Sequence, residues 1–592
     1  MVNRLFFRRL VRAGFLVFAA LAFIPLALPA DLAAASPVSG AAPAASAVGP
    51  DAAFLNGTYS LARGNMAHAA EDFLTALSWR PDDPVLLRRG FVASLLSGNP
   101  AALRLARALP DDDAALMLRA AVAARKGTWA AAQRLIRALP RDGQAGVLRP
   151  LLLAWAEQGA GRTEAALATL APRESGAHPQ AIYLLHAGLI ADLAGRTAVA
   201  AGLYHRAEAA LHGGDLRSGQ IFASFDARHG KRAAALRRLD ALARTTPEFA
   251  IALPGLAASL AHRPIGSAAA GMAEAFLGLG ATLRASDQPD SALLMLRLAL
   301  AARPEFAAAR LLAADILAAQ IQEPAPGAVR EGTPEPAREA LALLDGIPVN
   351  DPLAAVAQLQ TADVLRRLGR DQEALRLLRR LARLAPDSPL PLAEQGDILR
   401  ETGHFRAAVA AYTQALARSG TATKADWAMF YDRGVAYDRA GDWPKAEADF
   451  KRALQVSPNQ PLVLNYLGYS WADRGDHLAE AERMIEAANR LLPDNAAVTD
   501  SLGWVRLRQG QIAQAVDLLQ RAAELAPLDA TINFHLGDAY WAVGRKIEAR
   551  YQWQRALTLH PDAAEAVRLQ KRLLRDTDAG GRRAPAKRLA GR

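Results

Sequence analysis

One spacing constrains the fold of this chain more than any other feature of its sequence. A glycine recurs at intervals of 34, 35 and 34 residues, and a proline recurs at intervals of 35, 34 and 34 residues. Two independent landmarks that keep one period predict a repeat protein, in which each repeat is one supersecondary unit. The glycines are Gly434, Gly468, Gly503 and Gly537, and the prolines are Pro458, Pro493, Pro527 and Pro561.

The residues around one glycine predict a pair of packed helices. In the unit at 427–459, Gly434 lies on a first helix and Ala446 on a second, so that the two helices can approach closely. Phe450 fills the space beside that contact, and Pro458 ends the second helix because it cannot continue one. This unit resembles the tetratricopeptide repeat (TPR), which implies an all-α superhelical solenoid of antiparallel helix hairpins. The small residues of the second helices are Ala446, Ala481, Ala515 and Ala549.

The repeat signature weakens towards the N-terminus, so we predict two kinds of repeat. Breaks in register at 208–220 and 248–270 predict a solenoid divided into two or three blocks. The predicted segments are degenerate TPR-like helices at 51–270, one unit and a following helix at 271–320, a loop insertion at 321–336, the C-terminal TPR array at 337–562, a capping helix at 563–578 and a basic disordered tail at 579–592.

The first 35 residues are predicted to be a targeting segment that lies outside the fold. Four arginines in residues 1–12 precede the apolar run 13–30, and small residues follow it, a pattern typical of a bacterial signal peptide. An uncleaved membrane anchor is the alternative, because the run approaches the length that crosses a bilayer. Residues 36–50 are predicted to be a flexible linker. We therefore expect the protein in the periplasm or cell envelope of a Gram-negative bacterium.

Charge and composition argue against several functional classes. The net charge of +11 is concentrated at the ends, since residues 1–12 contribute +4 and residues 571–592 contribute +6 from eight basic and two acidic side chains. The body between them therefore lacks the basic surface that binds nucleic acid. There is no cysteine for a disulfide, a thiolate or a lipid. Scattered histidines and missing catalytic motifs predict no enzyme, no metal and no cofactor, with an enzyme of unrecognised site as a remote alternative.

The resemblance to TPR proteins also implies where a partner would bind. First helices line the inner face of such a superhelix, and the inward positions fall three before, one after and four after the signature glycine. Aromatic residues concentrate there although they make up only 6% of the chain, and they offer large contact area for little entropy loss. Packing between repeats is the alternative role. The candidate partner-binding residues are Tyr431, Asn465, Tyr469, Asp500, Trp504, Phe534, Asp538 and Trp541, with Arg508 beside them.

A more specific resemblance covers residues 270–565. Three well-formed units there, which begin at Leu464, Thr499 and Ile532, are similar to envelope TPR adaptors that partner a carboxyl-terminal processing protease. The resemblance implies a protein that gathers such a protease and its substrates. Membrane association is expected through the N-terminal segment or through the basic residues 582–592, for which a solubilising tail is the alternative. The alternative function is a scaffold for envelope polysaccharide or outer-membrane assembly and export.

Overall fold

The computed structural model describes residues 49–174, 181–211, 215–245, 247–321, 332–420, 423–561 and 563–580. All regular secondary structure in these ranges is helical, so the all-α prediction is confirmed for them. None of the helices in these ranges is long and apolar enough to cross a bilayer. Four predicted segments lie wholly or mostly outside the described residues: the signal or anchor at 1–35, the linker at 36–50, the loop insertion at 321–336 and the basic tail at 579–592.

The chain divides into two compact units, and the N-terminal unit ends at Pro391. Its α-helices are α1 (Pro50–Ala62), α2 (Met66–Trp79), α3 (Pro84–Leu96), α4 (Ala101–Ala108), α5 (Asp113–Arg125), α6 (Trp129–Ala138), α7 (Gly143–Gly159), α8 (Thr163–Glu174), α9 (Ala181–Leu193), α10 (Thr197–Ala210), α11 (Leu216–Arg228), α12 (Arg232–Thr245), α13 (Leu253–Ser259), α14 (Ala268–Ala285), α15 (Pro289–Ala302), α16 (Ala307–Ala319), α17 (Glu335–Asp345), α18 (Ala354–Arg367) and α19 (Asp371–Leu384). A 3-10 helix at Pro247–Ala252 interrupts the succession of hairpins, within one of the predicted breaks in register.

The second unit begins at Leu392, within α20. Its α-helices are α20 (Leu390–Glu401), α21 (Phe405–Ser419), α22 (Trp427–Arg439), α23 (Trp443–Val456), α24 (Pro461–Arg474), α25 (Leu478–Leu491), α26 (Ala496–Arg508), α27 (Ile512–Leu525), α28 (Ala530–Ala542), α29 (Lys546–Thr558) and α30 (Ala563–Gly580). A short 3-10 helix, Lys424–Asp426, precedes α22. The regular hairpins are α22–α23, α24–α25, α26–α27 and α28–α29, and α30 ends two residues beyond the predicted capping helix.

Each regular hairpin closes around a glycine of its first helix. A Cβ on Gly434 would come within 2.7 Å of the Phe450 ring, and a Cβ on Gly537 would come within 2.4 Å of the Trp553 ring. Only a residue without a side chain allows this approach, which explains why glycine keeps the period of the repeat. The signature glycines and the alanines of the second helices are buried at Gly434, Gly468, Gly503, Gly537, Ala446, Ala481, Ala515 and Ala549.

A hairpin from later in the chain fills the interior of the N-terminal unit. α14 and α15 pack against α3, α5, α7 and α9, which are the first helices of earlier hairpins. Gly271 of α14 lies so close to Trp155 of α7 that a Cβ would come within 2.3 Å of the indole. Arg297 of α15 donates from Nε to the carbonyl oxygen of Leu96 at the end of α3, at 2.9 Å. The inner face of these early hairpins is therefore part of a hydrophobic core.

Candidate partner-binding surface

The nine candidate residues lie on α22, α24, α26 and α28, the first helices of four consecutive hairpins, and we call this set the strip. It consists of Tyr431, Asn465, Tyr469, Asp500, Trp504, Arg508, Phe534, Asp538 and Trp541. Four of these side chains are half-buried and Arg508 is exposed. Asp500, Trp504, Phe534 and Asp538 are at most 8% exposed, because other parts of the same chain cover them. These four have little surface to offer a partner in this conformation, and their role in binding stays a prediction.

A buried histidine joins the aromatic part of the strip. The ring of His535 stacks on Trp504 with centroids 4.1 Å apart and planes inclined by 20°, and Tyr469 lies 5.9 Å away. Its Nδ1 donates to the carboxylate of Asp500 at 2.9 Å. Burial lowers the pKa of His535, but the charge and hydrogen bond of Asp500 outweigh burial and raise the pKa above its ordinary value. The cluster therefore places a buried, hydrogen-bonded histidine–aspartate pair under a tryptophan, and this pair is an ion pair whenever the imidazole is protonated.

His535 is a residue that the sequence reasoning missed. The histidines look scattered along the chain, and His535 stands two residues before the signature Gly537, outside the inward positions. Its partner Asp500 stands three residues before Gly503 in the preceding repeat. The sequence did contain a signal for this pair, since a histidine and an aspartate stand near the signature glycines of consecutive repeats. Equivalent faces of consecutive first helices meet in a stacked array, so two such side chains can come into contact.

Two polar atoms of the strip are buried without a hydrogen-bond partner among the described residues. They are Nε1 of Trp504 and Oδ1 of Asn465. An indole N–H donates and an amide oxygen accepts, which are the two bond types that a peptide backbone can satisfy. Burial also raises the pKa of Tyr469, so its hydroxyl stays neutral beside them.

Carboxylates follow the strip along its length. Asp438 accepts from the Tyr466 hydroxyl at 2.9 Å and from Arg474 at 2.8 Å. Asp538 accepts from Nε1 of Trp553 at 3.1 Å. Asp473, at the end of α24, is about one third exposed. Arg474 neutralises Asp438, so the acidic part of the inner face is the part that contains Asp473, Asp500 and Asp538.

The last helix, α30, places two arginines over this acidic face. Arg572 forms a bidentate pair with Asp538, with N–O distances of 2.8 and 3.1 Å. Arg568 lies 3.9 Å from a carboxylate oxygen of Asp473 and above the ring of Phe534. Leu569 between them is fully buried. α30 therefore covers part of the strip with its own side chains.

The positions of these arginines continue the repeat. Arg568 and Arg572 stand 34 residues after Phe534 and Asp538, which is one period of the array. α30 thus takes the place of one more first helix, with cations at the inward positions. Extending the period by one unit would have revealed them, but the sequence reasoning treated this segment only as a cap.

The rest of the described chain offers no competing site of obvious chemistry. No group of three histidine, aspartate or glutamate side chains in these ranges is placed to hold a metal ion. The N-terminal unit contains a cavity of about 440 Å³ lined by Arg217, Arg263 and Arg303. Glu274 pairs with Arg217, Asp192 pairs with Arg263, and Glu305 pairs with Arg303. The basic lining of this cavity is therefore largely neutralised.

Comparison with protein families identifies the repeat. A tetratricopeptide repeat model matches residues 394–461, 431–496 and 501–568, and a second model of the same repeat matches residues 355–398. This part of the chain belongs to the tetratricopeptide repeat family. The matches include the four hairpins that carry the strip apart from residues 497–500.

Known relatives share only part of their length with this chain. It is 32% identical to the TPR repeat-containing protein PA4667 of Pseudomonas aeruginosa over 192 residues, which are 32% of this chain and 31% of that protein. It is 26% identical to the human aspartyl/asparaginyl beta-hydroxylase over 207 residues, 33% of this chain and 27% of that protein. The chain therefore spans about a third or less of the length of these curated relatives.

Among solved structures, the chain is similar to that of the APC/C hetero-tetramer Cut9-Hcn1, with 16% identity and a TM-score of 0.38. That alignment covers 89% of this chain and 96% of the other. A second similar structure is YrrB, described as a TPR protein with an unusual peptide-binding site, with 18% identity and a TM-score of 0.26 over 33% of this chain and 97% of that one.

Proposed function

We propose that this protein is a scaffold that binds partner proteins along the strip of its C-terminal TPR array. The observation that carries the proposal is the strip itself. It combines the half-buried rings of Tyr431, Tyr469 and Trp541 with the half-buried amide of Asn465. Rings supply contact area and an amide group can bond a peptide backbone, the combination on which protein interfaces depend.

We further propose that the protein acts outside the cytoplasm, where it presents substrates to a carboxyl-terminal processing protease. The signal-like pattern of residues 1–35 supports the location, and the resemblance of residues 270–565 to envelope TPR adaptors supports the protease. The chain is also similar in sequence to PA4667, a TPR protein of the Gram-negative bacterium Pseudomonas aeruginosa. Membrane association through residues 1–35 or 582–592 is part of this proposal.

Partner binding is tested with a double substitution, Asn465→Leu with Trp541→Ala. The first removes the acceptor at similar volume, and the second removes a half-buried ring. Tyr551 on the second helix α29 is 60% exposed, so Tyr551→Ala is the matched aromatic control. Crosslinked pull-downs from envelope extracts should lose the partner by at least tenfold in the double variant, as truncation of a hot-spot ring predicts, and keep it in the control. Equal capture by both variants would reject the strip as the binding surface.

The location and the protease role need separate experiments. Fusion of alkaline phosphatase behind residue 50 should give periplasmic activity, and deletion of residues 1–35 should abolish it. Purified chain added to a carboxyl-terminal processing protease should raise the rate at which a cell-wall hydrolase is degraded. An unchanged degradation rate, with the partner still captured on the strip, would reject the protease role and leave the scaffold role standing.

A further inference from the structure

The position of α30 on the acidic inner face shows what kind of segment can bind there. α30 touches α24 through Asp473 and touches α28 through Thr531, Phe534 and Asp538. Thr531 donates its hydroxyl to Glu565 at 3.2 Å, near the start of the helix. One helix thus reaches two first helices that stand two repeats apart in the array. α30 also packs against α29, the second helix of the preceding hairpin. The inner face between α24 and α28, bordered by α29, is a seat for a helix.

Charge complementarity defines this seat. Its carboxylates, Asp473 and Asp538, face the guanidinium groups of Arg568 and Arg572. The two arginines are four residues apart and therefore lie on one face of α30, with the buried Leu569 beside them. The seat therefore binds a short sequence pattern, in which an arginine is followed directly by a leucine and, four residues after the first arginine, by a second arginine.

α30 is attached to the seat by few buried groups. Of the side chains described in residues 563–574, only those of Glu565 and Leu569 are buried. Arg568 and Arg572 stay 48% and 42% exposed, so water and salt screen their ion pairs. Two apolar side chains of the same helix, Val567 and Leu574, are 48% and 64% exposed. Departure of α30 therefore exposes one buried apolar side chain, Leu569, from the cluster that it shares with Phe534 and Trp553.

We propose that the seat between α24 and α28 binds a basic amphipathic helix of a partner protein, and that α30 is a competing occupant supplied by the chain itself. The inference rests on the proposed scaffold function and names the chemistry of one partner segment. That segment carries arginines at positions i and i+4 and a leucine at i+1. It displaces α30 when its affinity exceeds the advantage that α30 has from being tethered.

The test uses the full chain and a fluorescein-labelled peptide of residues 563–580 as the probe. The variant Arg568→Glu with Arg572→Glu frees α30, because each introduced glutamate repels the carboxylate that the arginine had paired with. The control is Lys571→Glu with Arg521→Glu, which changes the net charge equally at two exposed sites that do not touch the seat. Fluorescence anisotropy should show peptide binding by the freed variant at least tenfold tighter than by wild type or control.

A second peptide with both arginines replaced by glutamate should bind none of the three chains. Limited proteolysis within residues 563–580, together with circular dichroism, establishes that the freed variant is folded and that α30 has left the seat. A folded variant with a released α30 and no peptide binding would overturn the proposal. The proposal would also be overturned if α30 stayed protected from proteolysis after charge reversal, because the ion pairs would then not be what holds α30 in the seat.

Failure of the seat and failure of the scaffold function give different results. If the peptide does not bind but a partner still depends on Asn465 and Trp541 in the pull-down, the seat is rejected and the scaffold function stands. If the peptide binds tightly and no partner depends on those residues, the scaffold function is rejected and α30 is a structural cap.

Discussion

In both units of the molecule, a helix covers the inner face of the unit's own hairpins, but the two covering helices are buried to very different extents. In the N-terminal unit, α14 packs on α5, α7 and α9 and buries 15 of its 18 residues. In the C-terminal unit, α30 buries Glu565 and Leu569 among the side chains described in residues 563–574. The first covering helix is therefore a core element, since burial of apolar side chains dominates stability. The second is held by few buried side chains.

The two units also treat a buried histidine in opposite ways. His186 on α9 accepts from Nε1 of Trp155 at 2.8 Å, and burial lowers its pKa to about 4. His535 on α28 pairs with Asp500, which raises its pKa. Burial thus determines the direction of the pKa shift at His186, whereas the carboxylate of Asp500 determines it at His535.

The largest effect is expected from breaking the buried pair between α11 and α14. Glu274→Ala leaves Arg217, which is 8% exposed, without its carboxylate, and removal of one partner of a buried pair costs about 3–5 kcal/mol. Urea unfolding followed by circular dichroism should show the N-terminal unit destabilised by that amount. Glu208→Ala removes a more exposed partner of Arg238 and serves as the control, with a cost of about 1 kcal/mol or less. Equal costs would mean that α14 is not a core element.

The histidines predict opposite pH dependence in the two units. The unfolded chain binds a proton near pH 6.5, so a native pKa of about 4 for His186 destabilises the N-terminal unit as the pH falls from 6.5 towards 4, by up to about 3 kcal/mol. The raised pKa of His535 stabilises the C-terminal unit fully below pH 6.5, and that stability is lost as the pH rises through the native pKa.

Amide hydrogen exchange, corrected for the pH dependence of intrinsic exchange rates, measures the stability of α9 and of α28 against pH in one sample. His186→Gln should flatten the dependence of α9, and His535→Gln should flatten that of α28. A common trend with pH in both helices would contradict the assignment of the two protonation states.

A smaller and local effect is expected from Leu569→Ala. Loss of this buried side chain costs about 2–3 kcal/mol, at the low end for leucine because one side of α30 faces solvent. Exchange of amides in residues 563–580 should therefore accelerate by at least 30-fold, while α26 stays protected. Val567→Ala, at a half-exposed position of the same helix, is the control and should change exchange little. Loss of protection throughout the C-terminal unit would mean that α30 is part of its core.

The smallest effect is expected from Arg572→Gln. The pair with Asp538 is bidentate but its arginine is 42% exposed, so its loss should cost about 1 kcal/mol or less. The cost should shrink at high salt, since a half-exposed pair is screened. Lys571→Gln, on the exposed side of α30, should have no measurable effect. A cost of several kcal/mol for Arg572→Gln would contradict the light attachment of α30.

The sequence allowed the regular hairpins to be predicted because local landmarks define them. Glycine at the close approach of two helices and proline after the second helix act within one repeat, so their period reveals the repeat. The packing of α14 on α7 was beyond reach, because Gly271 and Trp155 are far apart in the sequence and neither belongs to the signature. Burial of the strip could not be predicted for a similar reason. His535 and Arg572 bind carboxylates of the preceding repeat, so the sequence of a single repeat does not contain both partners.

The central claim is that the strip of the C-terminal TPR array contacts a partner protein and that α30 competes for part of it. A photoreactive phenylalanine analogue in place of Trp541 tests this most directly, in the wild-type chain and in Arg568→Glu with Arg572→Glu, with the analogue in place of Tyr551 as the reference position. We predict crosslinks to a partner from position 541 that increase when α30 is freed, and none from position 551. Equal crosslinks from both positions, or none from position 541 in either chain, would contradict the claim.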